Sequence, residues 1–366
     1  MPGPQTAIAC TLMRGGTSKG PFFLASDLPR EPAARDQVLL AVMGSPDPRQ
    51  IDGLGGAEPL TSKVAIVSKS QRPGVDVEFL FAQVLIDQPR VDISPNCGNM
   101  LAGVGPFAIE RGLVAASDPA TRVSIYMVNT GNLALATVPT PGGQVRYDGS
   151  TAIAGVPGTA AAINIDFLDT AGSVCESLLP TGRARDRIEG IDVSCIDNGM
   201  PVVVLAARSL GKTGYESPAQ LDDDRDFKAR LEKLRLAAGA LMGLGDVSHK
   251  VVPKMALIAA AQAGGHVCTR SFIPHRCHSA IGVLGAVSVA TACVMPGSVA
   301  EGIARVPHGS PRVLSVEHPS GEFTVTLEVT GSGENFVVGR SGILRTARAL
   351  MQGQVLVPHA VWDGRP

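Results

Sequence analysis

Short apolar stretches, some alternating with polar residues and some unbroken, run through the first half of the chain and predict strands. They are Ala7–Met13, Pro21–Leu24, Lys63–Ser68, Val75–Ile86, Val91–Ile93, Val123–Val128 and Leu133–Val138. Asp27–Met43 carries a helical pattern, and Ser45–Leu60 is a polar loop rich in Gly and Pro. From about Gly98 to Gly112 the pattern changes. Met100, Leu101, Ala102, Val104, Phe107, Ala108 and Ile109 leave almost no polar face, which predicts a helix buried on every side.

The second half repeats the plan. Strands are predicted at Ile191–Cys195 and Pro201–Ala206, then a charged helix over Leu221–Met242. The acidic run Asp222–Asp226 reads as the solvated first turn of that helix, where negative charge suits the helix dipole. A second apolar helix over Ala280–Val294 precedes strands at Val313–Val316 and Phe323–Val329. In both halves the strand pair after the buried helix is broken by a Gly-containing turn, Asn129–Asn132 and His318–Gly321. This predicts two similar α+β domains, 1–184 and 185–366, with the last segment crossing back to the first.

Composition narrows the class. A chain of 366 residues with 45% hydrophobic and 18% charged residues is globular, and its length suits about two domains. With 42 Gly, 27 Pro and 4% aromatics it is turn-rich rather than a helix bundle. A net charge of −1 and no basic stretch point away from nucleic acid and from a membrane surface. No apolar run is long enough to span a bilayer, and Met1–Ala9 lacks the pattern of a secretory signal. Seven cysteines without framework spacing suit reduced thiols in the cytoplasm.

The candidate chemistry gathers in the first half. Ser62-Lys63-Val64 puts a lysine at the head of a strand. Pro95-Asn96-Cys97-Gly98-Asn99-Met100 puts a cysteine where extended chain becomes helix. A helix start offers free N–H groups and positive potential, which hold an anion and activate a thiol. Lys63 is the candidate base, since proton removal beside a carbonyl needs an amine that can be neutral. Against this stands the usual fate of a lysine, an exposed surface position. Cys97 is a candidate proton donor, and its bland alternative is an inert buried thiol. Asn96, Gly98, Asn99 and Met100 offer N–H groups and an amide to one carboxylate; Asn96 alone also suits simple helix capping.

Arg14-Gly15-Gly16-Thr17-Ser18 does not fit the phosphate-loop pattern. It reads as a turn presenting Arg14, Thr17 and Ser18 to a second carboxylate, or as a plain hairpin. His266, Cys268, His275, Cys277 and His278 match no zinc spacing, and strand alternation keeps them from converging, so no metal is expected. Arg276, His278 and Ser279, just before the second apolar helix, are further carboxylate-binding candidates.

Five segments stand in order across more than half the chain: Met13–Gly20, Asn96–Asn99, Pro157–Ala160, Pro180–Gly182 and Ile196–Pro201. As a set they resemble the PrpF family of carbon–carbon double-bond isomerases. The run from Leu39 through Lys69 resembles the 4-oxalomesaconate branch. The resemblance implies a diaminopimelate epimerase-like fold: two pseudo-symmetric domains, each a curled sheet around a central helix, with the active site in the cleft between them. It implies Lys63 and Cys97 as the catalytic pair and no cofactor. It implies a small tricarboxylate substrate in bacterial aromatic-acid degradation. The one protein partner in view is a second copy of the chain, in a homodimer. Amino-acid epimerases of that fold carry a second cysteine at the start of the second central helix. Here that place, around His278-Ser279-Ala280, has none, and Cys277 stands about a turn early. Two rivals are a 2-methylaconitate cis–trans isomerase and a non-catalytic polyacid-binding protein.

Overall fold

The computed structural model describes residues 5–94, 96–168, 170–331 and 336–365. Pro95, part of the helix-start motif, lies outside the described residues. In order, the chain forms β1 (Gln5–Gly15), β2 (Ser18–Leu24), α1 (Pro32–Met43), β3 (Lys63–Lys69), β4 (Val77–Val84), β5 (Val91–Asp92), α2 (Gly98–Glu110), β6 (Ala120–Met127), β7 (Asn132–Pro139) and β8 (Ile163–Leu168). It continues with β9 (Asp186–Ile188), β10 (Ile191–Asp197), β11 (Pro201–Ala206), α3 (Pro218–Asp223), α4 (Arg225–Leu241), β12 (Lys254–Ala259), β13 (Val267–Phe272), α5 (Val283–Val294), β14 (Arg312–His318), β15 (Gly321–Thr330), β16 (Val337–Arg345) and β17 (Ala347–Pro358). Two compact units result. One comprises residues up to Ile165 together with Arg345–Pro366, the other Asp166–Leu344.

In the first unit β1 pairs antiparallel with both β2 and β17. β2 runs parallel to β3 across the α1 crossover, β3 pairs antiparallel with β4, and β4 runs parallel to β6 across α2. β6 and β7 close the series antiparallel. α1 buries Val38, Leu39 and Met43 against Ile8, Phe23, Val64 and Val84. α2 is buried without a break from Met100 to Ala108, as its apolar surface requires. Met100, Leu101, Val104 and Phe107 are each fully buried, at about 1.5–3 kcal/mol of transfer free energy apiece.

The second unit runs through the same order. β10 and β11 are antiparallel, and β11 runs parallel to β12 across α3 and α4. β12 and β13 are antiparallel, β13 runs parallel to β14 across α5, and β14 pairs antiparallel with β15. Its central helix α5 is buried from Gly285 to Val294. The repeated arrangement of strands around one buried helix is the diaminopimelate epimerase-like fold.

Several elements differ from expectation. The boundary expected at 184/185 falls inside the second unit. The Pro180–Gly190 stretch is tied down there by Thr181 Oγ1 on Asp186 (2.6 Å) and Arg185 on the carbonyls of Gly297 and Ser298 (3.1 and 2.5 Å). The charged helix is two helices. Asp224 leaves helical geometry, caps α4 through Phe227 N–H (2.9 Å) and pairs with Lys212 (2.5 Å). The acidic run is therefore a break with a cap. The first helix begins at Pro32 rather than Asp27, with proline at its N-terminus.

Candidate active site

The site in the first unit is built around the start of α2. Cys97 is its N-cap, half-buried, in extended geometry, and its side chain makes no capping bond. The first intrahelical bond runs from Leu101 N–H to the Cys97 carbonyl at 3.0 Å. The N–H groups of Gly98, Asn99 and Met100 thus lie outside the helix's own bonding. The capping role considered for Asn96 falls one residue later, at Cys97. The Asn96 amide is tied elsewhere: Oδ1 accepts from Cys97 N–H (3.0 Å), and Nδ2 donates to Thr130 Oγ1 (3.2 Å) and lies 2.8 Å from Met127 Sδ.

The β1–β2 turn packs directly on this helix start. A Cβ at Gly16, whose φ is +51°, would lie 2.2 Å from Asn99 Oδ1, and one at Gly15 would lie 2.4 Å from the Asn99 carbonyl oxygen. Glycine is required at both places by this close approach. Asn99 Nδ2 donates to Thr17 Oγ1 at 3.0 Å. Among the described residues Asn99 Oδ1 and Ser18 Oγ are buried with no hydrogen-bond partner, an arrangement costly to a fold and useful to a ligand. Arg14 Nη1 donates to the carbonyls of Gly16 (2.8 Å) and Thr346 (3.1 Å) and to Thr346 Oγ1 (3.0 Å). Burial, and after it the Arg348 charge, pull the Arg14 pKa below its ordinary value.

Lys63 opens β3 and is 9% exposed, so the surface position usual for lysine does not apply. Its Nζ donates to Gln83 Oε1 at 2.5 Å and lies 5.0 Å from the centroid of the Phe81 ring. Gln83 is oriented by donating Nε2 to the carbonyls of Ser62 (2.8 Å) and Pro59 (3.1 Å), which turns its amide oxygen to the amine. Behind it, Gln50 Nε2 donates to Ser62 Oγ at 2.7 Å, and that hydroxyl donates to the Val84 carbonyl at 2.8 Å. The polar loop over 45–60 thus braces the lysine. Among the described residues Lys63 has no carboxylate partner. A Cβ at Gly20 would lie 1.7 Å from the Lys63 carbonyl oxygen and 3.3 Å from Met100 Cε, so β2 holds the lysine backbone and the helix start close together.

A cavity of about 780 Å³ opens on the same turn, lined by Arg14, Thr17, Ser18, Lys19, Arg348 and the Pro157–Ala160 segment among others. Lys63 and Cys97 do not line it; they are joined to it through Gly20, Asn99 and Thr17. Gln83, Lys19 and Arg348 are additions that the sequence reading did not single out. Only strand register reveals them, because each faces its partner across a ladder: Gln83 opposite Lys63, and Lys19 and Arg348 on either side of Arg14.

The other candidates lie in the second unit. α5 begins at Val283 with Gly282 as N-cap, later than the expected Ala280. Arg276 and Ser279 are exposed, and they precede the helix by several residues. The Arg276 carbonyl accepts from Ile273 N–H at 2.9 Å. His278 is half-buried, with Nδ1 accepting from Ala280 N–H at 2.8 Å; burial, then the Lys254 charge, lower its pKa. Lys254, the first residue of β12, is itself pulled down to about 8, by burial and then by Arg235. Cys277 is buried, and desolvation followed by the Asp222 charge push its thiol up to about 12, so it is no ready nucleophile or base. The five His and Cys residues weighed for zinc are bound into their own surroundings. His266 Nδ1, for example, accepts from Ser315 N–H at 2.9 Å, and among the described residues no cluster of three metal-ligating side chains forms.

The whole chain resembles known proteins. The chain is 62% identical over 348 residues to the (4E)-oxalomesaconate Delta-isomerase of Novosphingobium sp. strain KA1, covering 95% of this chain and 97% of that one. It is 59% identical over 360 residues to the 4-oxalomesaconate tautomerase of Pseudomonas putida, covering 98% and 99%. The crystal structure of a methylitaconate-delta-isomerase superposes with a TM-score of 0.84 at 35% identity, over 98% of this chain and 97% of that one. The family model described as PrpF protein matches residues 5–358, and the chain belongs to that family.

Proposed function

We propose that this isomerase moves a double bond in 4-oxalomesaconate by proton transfer at carbon, in bacterial aromatic-acid degradation. Lys63 takes a proton from the carbon activated by both the keto and the ene group. The dienolate that forms is held by the helix-start N–H groups of Gly98, Asn99 and Met100 and by the Thr17 and Ser18 hydroxyls. Return of a proton to the far carbon completes a 1,3-allylic shift; return to the enolate oxygen completes a tautomerisation. In this reading Cys97 delivers that proton and Arg14 binds a carboxylate; Arg276, His278 and Ser279 are carboxylate-binding candidates of the second unit. The chemistry asks only for a base, an acid and hydrogen-bond donors, all of which the chain supplies, so no cofactor enters the reading.

The observation that carries it is Lys63. A nearly buried amine is held by an amide oxygen and an aromatic ring, with no carboxylate partner among the described residues to fix its proton. The seven cysteines are all unpaired, which supports a cytoplasmic setting. No helix of the described residues is long and apolar enough to cross a membrane. Exposed Leu350, Met351 and Leu356 on β17 support pairing of two copies, which light scattering tests.

The decisive experiment is proton NMR of 4-oxalomesaconate in D₂O with wild type and Lys63→Ala. Wild type is expected to produce new vinylic signals with deuterium at one carbon, and the variant to lose at least about 100-fold of the rate while keeping its melting temperature. An unchanged spectrum with folded wild type rejects the substrate and turns the search to 2-methylaconitate. Retained turnover in Lys63→Ala rejects the base.

A further inference from the structure

Three cations stand side by side in the first unit. Lys19 on β2 is directly opposite Arg14 on β1, and Arg14 is directly opposite Arg348 on β17. Directly opposed residues of antiparallel strands share a face, with Cβ atoms about 4.5–5.5 Å apart. Like charges in that relation weaken a sheet, so the row does nothing for the fold. None of the three makes an ion pair among the described residues. Arg14 spends Nη1 on neutral acceptors, and Arg348 is exposed. All three line the cavity of about 780 Å³, whose wall carries a single acidic residue, Asp148, among those described. Ser18, with its unpartnered buried hydroxyl, lines it as well.

We propose that Lys19, Arg14 and Arg348 form a polyanion subsite that binds the additional carboxylate by which a tricarboxylate exceeds a dicarboxylate, with Arg348 as the specificity-determining residue. The proposal rests on the isomerase reading for the class of anion. Its physical content is independent of that reading. A row of two guanidinium groups and one ammonium suits a carboxylate, because an arginine can receive its oxygen pair in bidentate fashion while the lysine acts as a point charge. The second arginine comes from the segment Arg345–Pro366, so the far end of the chain supplies part of the site.

The test is calorimetric titration with two saturated ligands that cannot isomerise, propane-1,2,3-tricarboxylate and pentanedioate. Wild type is expected to prefer the tricarboxylate. Arg348→Met is expected to lose tricarboxylate affinity by about tenfold or more while binding the dicarboxylate as before. Lys19→Met gives the same pattern, and a melting temperature for each variant confirms its fold. The proposal is overturned if wild type binds the two ligands alike or fails to bind the tricarboxylate, or if Arg348→Met keeps wild-type affinity for it. Failure of the substrate reading shows separately, as an unchanged NMR spectrum of 4-oxalomesaconate alongside intact calorimetric discrimination.

Discussion

Replacing Gln83 by glutamate tests the idea that Lys63 works as a base because its partner is neutral. The change puts a carboxylate where an amide oxygen now accepts from Nζ at 2.5 Å. Lys63 is 9% exposed, so water screens the new pair little. Two unit charges about 4 Å apart attract by about 4 kcal/mol at an effective dielectric constant of about 20. Desolvation of the carboxylate offsets part of that, and about 1.4–4 kcal/mol remains in favour of the ammonium over the neutral amine. The sign is fixed: the new charge favours the form that cannot act as a base. Near neutrality kcat/KM should therefore fall by about 10- to 1000-fold. Steady-state kinetics from about pH 6 to about pH 10 should show the acid limb of kcat/KM displaced upward and the rate returning as the pH rises. The glutamate also gives up donations to the Ser62 and Pro59 carbonyls (2.8 and 3.1 Å), and any disorder this causes lowers the rate equally at every pH. An acid limb that does not move refutes the link between Gln83 and the proton affinity of Lys63.

Other consequences are open to simpler assays. Gly16→Ala forces a side chain into a left-handed turn and against Asn99 Oδ1, 2.2 Å from its Cβ. It should cost about 1–3 kcal/mol, lower the melting temperature and raise KM. Arg235 is fully buried and donates to both Glu232 oxygens (2.7 and 2.8 Å) and to the carbonyls of Val247, Lys250 and Val252 (2.9, 3.2 and 3.2 Å). Arg235→Leu strands these acceptors and should cost about 3–5 kcal/mol in denaturant titration. Lys254 is held down at about 8, so its charge opposes folding fully below that pH, and the penalty fades as the pH rises through the ordinary lysine value of 10.5. Lys254→Met should therefore melt higher than wild type near neutrality, with the gap closing in strong base; a gap independent of pH counts against this account.

The parts of the site that the sequence revealed are those whose cause is local. The unbroken apolar surface of α2 and the glycines before Thr17 announce themselves within a few residues, and so does a cysteine at a strand-to-helix junction. Gln83 and Arg348 do not, because nothing near either in sequence distinguishes it; their meaning lies in the residue opposite on another strand. β17 escaped for a related reason. Ala347–Pro358 mixes exposed apolar residues with Gln and Gly, and its burial pattern does not alternate cleanly. Acidic runs mislead in the same way: Asp222–Asp226 looks like one solvated turn, but Asp224 is a cap and Asp222 accepts from Cys277 N–H at 2.7 Å. The end of α5 was readable from its apolar content, whereas its start was not, since Ala280 and Ile281 are as apolar as the helix that follows.

The repeated order of strands and helices gives the molecule an ancestry as well as a shape. The order of β1 through β7, leaving out the short β5, returns as β10 through β15, which is what duplication of one half-length gene leaves behind. At the start of the second hairpin both copies have a lysine, Lys63 opening β3 and Lys254 opening β12. At the N-cap of the central helix they have parted, with Cys97 in one and Gly282 in the other. The two halves thus share a frame and differ at the position where chemistry is expected, so one copy can carry a thiol while the other carries none. Gly282→Cys would give the second helix start the same residue as the first.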